Sequence, residues 1–389
     1  TATNYDGTSS ANLTLSGSTA ALYVGAQGIT RGSGASALPV AIKLQGGAIG
    51  ASDNWSSSLD MKLGTTSGGP TFKAATSADV SKNITLSGIL SDDASVNGTL
   101  TKTGAGTLTL QGNNTFSGGV TIQNGTLESR TTKTTLGTGT VTMGGSGSTG
   151  ATYLTGQNNS NPFVINAPDS GSVVIGANGA GSGFTLSGGV TLNGNLTLQT
   201  FDNPVSESNK ATSILTGGVT GTGNLLLNNL GLAANVITIS GSSVNLTGRI
   251  TLQGTSTGDT TISAPIGSNV TGITQSSTTS RLVLSGSNSY AGNLTINAGT
   301  VRISNNSNTA NDVSTVTIAT GGTLDLTYVG TDTVGKLFIG GVEQPAGVYG
   351  KSGSTDPSVT NTSAQITGDG TLTVGAPEIA LEQPANTAI

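Results

Sequence analysis

The sequence predicts an all-β protein folded as a β-solenoid, in which short strands stack coil upon coil. The first observation is that short apolar runs alternate with polar residues, as in Leu108-Thr109-Leu110 and Val120-Thr121-Ile122. Period-2 alternation of aliphatic and β-branched residues is typical of strands with one buried face. The second observation is an internal repeat, which indicates stacked coils rather than separate domains.

The repeat has two clear copies that align without a gap. Gly106–Leu127 reads GTLTLQGNNTFSGGVTIQNGTL, and Ser280–Val301 reads SRLVLSGSNSYAGNLTINAGTV. Matched pairs are Leu108 with Leu282, Gly112 with Gly286, Asn114 with Asn288, and Phe116 with Tyr290. The offset is 174 residues, about eight turns at roughly 22 residues per turn, so we expect a whole number of turns between the copies. Some sixteen turns about 4.8 Å apart would make a rod of order 75 Å.

Turn dipeptides separate the apolar runs. Asn124-Gly125, Asn178-Gly179 and Asn193-Gly194 would each indicate a hairpin if they stood alone. In a solenoid they form corners between successive faces, where asparagines of adjacent coils are expected to stack with their amides bonded along the axis. Gly340-Gly341 lies between two strand-like runs and predicts a true hairpin.

We divide the chain by these patterns into five parts. Residues 1–30 are an N-terminal coil or cap, and 31–80 are irregular coils with a loop insertion. Residues 81–330 are the repeat array, within which Phe201–Lys210 is expected to protrude as a polar loop. Residues 331–375 are closing coils or a cap, and 376–389 are a linker or an exchangeable tail.

Composition argues against several classes of function. Only 8% of the 389 residues are charged and the net charge is −5, without a cluster of Lys or Arg. This charge balance argues against nucleic acid or an anionic membrane as a partner. The chain has no Cys and no His, so a thiolate metal site, a His-ligated zinc and a Ser-His-Asp triad are all excluded. No apolar run is long enough to span a bilayer as a helix.

Few residues stand out as candidates for chemistry, and we predict no catalytic, cofactor-binding or metal site. Trp55, the single Trp, lies in Asn54–Leu59, which we interpret as a loop excursion. It could stack on a sugar, but packing is favoured because large aromatic residues most often serve burial. Gly145–Gly150 has formal G-x-G-x-x-G spacing, but a short strand rather than a helix follows it, which favours a flexible corner.

The acidic residues are scattered, which argues against a glycosidase or lyase site built from clustered carboxylates. Asp92-Asp93 is the single adjacent pair, and adjacent strand residues point to opposite faces. We expect solvated turn residues at these positions and at Glu207, Asp259, Asp312, Asp325 and Asp332. Gly321–Asp325 lacks the third glycine of a repeat calcium motif, although Ca²⁺ at a corner stays an open alternative.

The segment TLTLQGNNTFSGGVTIQNGTL resembles the autotransporter-associated β-strand repeat, found in passenger regions of bacterial autotransporters and in large bacterial surface proteins. Residues 100–129 and 275–303 carry the resemblance, and 320–374 is similar to the ending of such arrays. The resemblance implies a right-handed parallel β-helix, secretion to the bacterial cell surface, and a structural or adhesive role. It implies no particular ligand.

We therefore expect a non-enzymatic extracellular stalk, fibre subunit or adhesive scaffold. The alternative is a polysaccharide-binding or polysaccharide-degrading β-helix, with Trp55 and tyrosines as sugar platforms, and a third hypothesis is a plain spacer. A rod has open strand edges at its ends. These edges suggest a homo-oligomer or fibre in which Ile379–Ile389 adds a strand to the next molecule. Contact with glycans or the cell surface is also expected.

Overall fold

The computed structural model describes residues 11–32, 39–65, 68–94, 96–130, 135–179, 183–200, 211–231, 235–305 and 314–375. Within these ranges the chain forms forty β-strands and no α-helix. The predicted loop Phe201–Lys210 and the predicted tail Ile379–Ile389 lie outside the described residues.

The first twenty strands are β1 (Ala11–Leu15), β2 (Ala21–Val24), β3 (Val40–Leu44), β4 (Ala48–Ala51), β5 (Trp55–Ser57), β6 (Met61–Leu63), β7 (Thr71–Lys73), β8 (Ile84–Leu86), β9 (Leu90–Asp92), β10 (Leu100–Thr103), β11 (Thr107–Leu110), β12 (Val120–Ile122), β13 (Asn124–Ser129), β14 (Val141–Met143), β15 (Gly150–Thr155), β16 (Phe163–Asn166), β17 (Val173–Ala177), β18 (Gly183–Leu186), β19 (Val190–Asn193) and β20 (Leu196–Gln199). The other twenty are β21 (Thr212–Leu215), β22 (Val219–Gly221), β23 (Leu225–Asn228), β24 (Val236–Ile239), β25 (Val244–Leu246), β26 (Arg249–Gln253), β27 (Thr260–Ile262), β28 (Gly272–Gln275), β29 (Leu282–Leu284), β30 (Asn293–Ile296), β31 (Gly299–Ile303), β32 (Thr315–Ile318), β33 (Gly322–Leu326), β34 (Thr331–Val334), β35 (Lys336–Ile339), β36 (Val342–Glu343), β37 (Gly347–Lys351), β38 (Asn361–Ser363), β39 (Ile366–Gly368) and β40 (Thr371–Val374).

The strands stack into three long faces that run along one axis. Face 1 begins with the sheet β1-β3-β6-β9 and is continued by the sheet from β18 to β39. Face 2 is the ten-stranded sheet from β2 to β25, and face 3 is the fourteen-stranded sheet that contains β5 to β36. Strands adjacent within a face come from successive coils and pair in parallel, with the β35–β36 pair as the exception on these faces. The architecture is a parallel β-helix, as the sequence predicts.

The core is built from columns of inward-facing residues in register. On face 3, Leu108 is paired with Leu127, Leu127 with Tyr153, and Tyr153 with Ile175, and all four are fully buried. Alternate residues such as Thr152 point outward and are half-buried, which is the period-2 pattern of the sequence. Each coil buries its apolar side chains against the coil before and the coil after, so the core is continuous along the axis.

The two repeat copies are not a whole number of turns apart, so that expectation is wrong. Following the register along face 3, seven turns lead from Leu108 to Gln275 and span 167 residues, about 24 per turn. Leu282, the repeat partner of Leu108, lies one face further on, in β29 of face 1. The reason is that each turn takes about 24 residues, because its corners are longer than the assumed roughly 22 residues per turn allow. Among the described residues, face 3 stacks thirteen parallel strands, and the coil that contains β1 and β2 precedes the first of them, so the expected sixteen turns stay a prediction.

The region around Trp55 is a regular coil and not a loop excursion. Trp55–Ser57 forms β5, which pairs in parallel with β8. The Trp55 side chain is 4% exposed, and its Nε1 donates a hydrogen bond to the Gly50 carbonyl oxygen at 3.1 Å. The packing role favoured for Trp55 is therefore confirmed, and the hypothesis of a sugar platform at this residue is wrong.

The corner predicted at Asn193-Gly194 and the hairpin predicted at Gly340-Gly341 are confirmed, whereas Asn124-Gly125 begins strand β13 instead of lying between strands. Asn193-Gly194 joins β19 on face 2 to β20 on face 3, so the chain turns a corner there without reversing. Gly145–Gly150 likewise leads from β14 on face 2 to β15 on face 3. Gly340-Gly341 joins β35 to β36, which pair antiparallel as a hairpin. Gly340 and Gly341 both have positive φ, at 60° and 84°, a conformation that glycine adopts without steric cost.

We expect that Leu198→Ala destabilises the β-helix by about 2–5 kcal/mol, because Leu198 is fully buried in the face 3 column and the change leaves a cavity. The neighbouring Thr197→Ala, which alters an outward residue of the same strand, should change stability by less than about 0.5 kcal/mol. Urea denaturation followed by circular dichroism measures both. Equal losses in the two variants would contradict the assignment of inward and outward positions.

Candidate functional site

Around each repeat copy the chain forms two strands, a strand-free arc and two further strands. In the first copy β10 to β13 lie alternately on faces 2 and 3, and arc 1 (residues 112–119) takes the place of a strand on face 1. Around the second copy β28 to β31 lie alternately on faces 3 and 1, and arc 2 (residues 286–292) takes the place of a strand on face 2. The same sequence pattern therefore occurs in two positions around the β-helix, and these positions differ by one face.

The buried Asn114 of arc 1 replaces part of the missing backbone ladder. Its Oδ1 accepts a hydrogen bond from the Leu90 backbone N–H at 2.8 Å, and its Nδ2 donates to the Thr135 carbonyl oxygen at 2.7 Å. The Thr115 N–H donates to the Leu90 carbonyl oxygen at 2.9 Å. Buried backbone groups need such partners. Asn114 therefore joins arc 1 to β9 in the preceding coil and to the coil that follows.

Asn288 has the same role in arc 2. Its Oδ1 accepts from the Ile266 N–H at 3.1 Å, and the Ser289 N–H donates to the Ile266 carbonyl oxygen at 2.8 Å. Ile266 itself bridges to Val244 of β25, the last strand on face 2. The Asn288 Nδ2 is buried and has no hydrogen-bond partner. Each arc therefore lies where the regular strands of one face end, and an asparagine closes the ladder there.

The aromatic residue two positions after each asparagine fills the core behind the arc. Phe116 and Tyr290 are both fully buried. The Tyr290 hydroxyl has no hydrogen-bond partner, and burial raises the pKa of this phenol, with a further contribution from the charge of Asp332. Because Phe serves at the same position in the first copy, the ring and not the hydroxyl is the common structural element.

A long polar side chain is buried before the first corner of each copy. Lys102, paired in register with Phe72 and Ile122, donates through Nζ to the carbonyl oxygens of Thr103, Gly104 and Asn124 at 3.0, 2.7 and 2.8 Å. Burial lowers the pKa of Lys102 to about 7.

In the second copy Gln275 Nε2 donates to the carbonyl oxygens of Ser280 and Thr300 at 2.7 and 3.2 Å. Both side chains tie together the corners of successive coils.

Asparagines at the corner between faces 2 and 3 form the ladder that the sequence predicts. Asn195 Oδ1 accepts from the Asn224 backbone N–H at 2.9 Å and from its Nδ2 at 3.1 Å. Asn224 Oδ1 in turn accepts from the Arg249 N–H at 2.8 Å. The three residues occupy successive coils, so this corner presents a straight row of polar side chains along the rod.

Several acidic residues have structural partners, and three of those expected to be solvated are not. Asp93, Asp325 and Asp332 are buried, which contradicts the expectation of exposed turn carboxylates. Asp93 accepts from Gln45 Nε2 at 3.0 Å and pairs with Lys43 at 3.3 Å, whereas Asp92 accepts from the Gly98 and Ser117 N–H groups. Stacking supplies these partners because coils are only about 4.8 Å apart.

The remaining acids add no cluster among the described residues. Asp325 pairs with Arg302 Nε at 2.7 Å, and Asp259 pairs with Arg281 at 2.6 Å. Within the described ranges, no three Asp or Glu side chains are placed to hold a metal ion. Glu207 and Asp312 lie outside the described residues.

A surface groove with a volume of about 570 Å³ lies on the outer side of face 3. Its floor includes Thr197, Leu226 and Thr251, which are in register on β20, β23 and β26. The corner ladder of Asn195, Asn224 and Arg249 forms one edge. Sequence reasoning missed this groove because its residues are spread over four coils and none stands out alone.

We expect Asn114→Ala to destabilise the protein by about 2–4 kcal/mol, because it leaves the Leu90 N–H and the Thr135 carbonyl unpaired in the core. Asn288→Ala should cost about 1–2 kcal/mol, since only the Ile266 N–H loses a partner. Thr115→Ala is the control, because Thr115 is exposed and bonds through its backbone. Urea denaturation measures all three, and an Asn114→Ala loss no larger than that of Thr115→Ala would contradict the bridging role.

Lys102 should make stability depend on pH. Its pKa is about 7 in the folded protein, against the ordinary lysine value of 10.5 that applies to an unfolded chain, so between these values the unfolded chain holds a proton that the folded one releases. Stability from this group therefore rises with pH from about 7 to 10. We expect the urea midpoint of the wild type to approach that of Lys102→Met as pH increases. Parallel curves across this window would show that Lys102 keeps its proton when buried.

A scan of the chain against family profiles matches the passenger-associated-transport-repeat at residues 100–128 and 279–303. These two segments coincide with the two copies built around arc 1 and arc 2. Neither a search of curated proteins nor a search of solved structures gave a match. In the described part of the chain, no helix is long and apolar enough to cross a membrane. The protein is thus a parallel β-helix with two segments that match the passenger-associated-transport-repeat.

Proposed function

We propose that this chain is part of the passenger region of a bacterial surface protein, exported to the cell exterior, where it acts as a rod-like, non-enzymatic scaffold. The observation that carries the proposal is the match of both copies to a passenger-associated repeat, in a continuous stack of coils. Thirteen parallel strands on face 3 correspond to a length of about 60 Å at about 4.8 Å per coil.

The engagement of the acidic residues supports a structural rather than a hydrolytic role. A glycosidase needs two carboxyl groups about 5–10 Å apart that face one substrate. Asp92, Asp93, Asp259 and Asp325 instead bind backbone N–H groups, amides or basic side chains of adjacent coils. These carboxylates hold coils together, which is what a scaffold requires.

Whether such rods could join into a fibre depends on whether the strand edges at their two ends are covered. At the C-terminal end of face 3, the antiparallel strand β36 lies on the edge of β35 and takes up part of its ladder. At the N-terminal end, Ser57 Oγ of β5 donates to the Ile29 carbonyl oxygen at 2.7 Å. Covered edges resist strand addition, so we favour a single rod over a fibre joined through face 3.

We expect negative-stain electron microscopy and sedimentation of the purified chain to show single rods of about 60 Å. Antibodies against the purified chain should label intact cells of the source bacterium, and external protease should remove that label. Labelling only after the cells are broken would contradict export. Long fibres in the micrographs would retain the scaffold role but replace the single rod with a polymer.

A further inference from the structure

The groove on face 3 crosses four successive coils along the rod. It is lined by residues at the starts of β17, β20, β23 and β26, and by Ala167, Pro168, Gly171 and Ser172 before β17. At about 4.8 Å per coil, the four strands extend over roughly 14 Å. The groove is therefore an elongated channel parallel to the rod axis.

Arg249 is the one charged side chain that lines this groove, and the lining contains no carboxylate. Eight other basic residues of the described chain are ion-paired with Asp or Glu. Arg249 is exposed, and its guanidinium makes one long hydrogen bond, from Nη1 to Thr274 Oγ1 at 3.4 Å. A guanidinium has five N–H donors, so most of them are available to a ligand.

The position of Arg249 is fixed by the fold. It begins β26, and its backbone N–H is held by Asn224 Oδ1 at 2.8 Å. In the coil before Asn224, Asn195 occupies the same corner position, and its Oδ1 accepts a hydrogen bond from the Asn224 backbone N–H. The backbone of Arg249 therefore lies at the end of a row of amides along the groove edge, which fixes the point from which its side chain reaches the groove.

The floor of the groove suits a sugar chain better than a peptide. Its strands are paired on both sides within face 3, so their backbone groups are not available for strand addition. The outward residues Thr197, Leu226 and Thr251 repeat at the coil spacing and offer hydroxyl, aliphatic and hydroxyl surfaces in turn. A pyranose ring presents both hydroxyls and an apolar face, so a chain of such rings complements this floor.

We propose that this groove binds a carboxylate-bearing polysaccharide, a polyuronate that lies along the rod axis with one sugar carboxylate on Arg249. An arginine fork matches a carboxylate with two parallel hydrogen bonds, and no acidic side chain in the lining repels it. The inference goes beyond the scaffold role, because a rod could serve as a spacer with this groove empty.

The test is calorimetric titration of the full chain with polygalacturonate oligomers, and with dextran as the neutral comparator. We expect binding of polygalacturonate and not of dextran. Arg249→Gln should lower the affinity about tenfold or more, the scale of a lost charge-assisted pair. The matched control is Lys62→Gln, which removes the same charge from an exposed side chain on face 1 whose Nζ bonds Ser91, and it should leave the affinity unchanged.

A second variant, Leu226→Glu, places a carboxylate on the groove floor one coil from Thr251, and it should abolish binding while circular dichroism shows an intact fold. The proposal is overturned if the wild type does not bind polygalacturonate or if dextran binds equally well. It is also overturned if Lys62→Gln weakens binding as much as Arg249→Gln. Tighter binding of poly-glutamate than of polygalacturonate would reassign the groove to acidic peptides.

Discussion

In-register stacking of coils is the constraint on which the rest of this structure depends. Each inward position lies between the same positions of two neighbouring coils about 4.8 Å away, so a side chain there is enclosed on both sides along the axis. Apolar residues satisfy the constraint by packing in columns. A polar residue can satisfy it by bonding to backbone groups of the adjacent coils, as Asn114 and Lys102 do. Asn114 does so where the ladder of face 1 is interrupted, and Lys102 does so beside a corner within a fully paired strand.

Much of the fold follows from the alternation of inward and outward residues along each strand, here called parity. Parity also shows why the burial of some polar residues was not predicted. Alternation assigns each residue to the inside or the outside of a strand, which is why the strands and the Gly340-Gly341 hairpin were predictable. Gly112, Asn114 and Phe116 keep the inward parity through arc 1, so the burial of Asn114 was available as a signal, but asparagine was interpreted as a turn former. Lys102 shares the parity of Leu100 and is buried for the same reason.

The face that each strand occupies and the groove around Arg249 could not be predicted from the sequence, for physical reasons. Parity does not say which face a strand occupies, since the three faces present the same alternation, and corner lengths vary. The one-face difference between the repeat copies therefore appears only when the register is followed from Leu108 to Gln275. The groove around Arg249 is likewise a property of stacking, because it joins residues about 25 to 30 positions apart that share no local motif.

The one-face difference between the copies has a consequence for how such a molecule can lengthen during evolution. A duplicated segment does not need to close a full coil to be accommodated, because the repeat works with its arc on face 1 or on face 2. Insertions of one or two strands are then structurally acceptable, and each advances the rod by about 1.6 Å, a third of the coil spacing. The smallest increment of growth is therefore a single strand with its corner, and each such increment also turns every downstream loop to a new side of the rod.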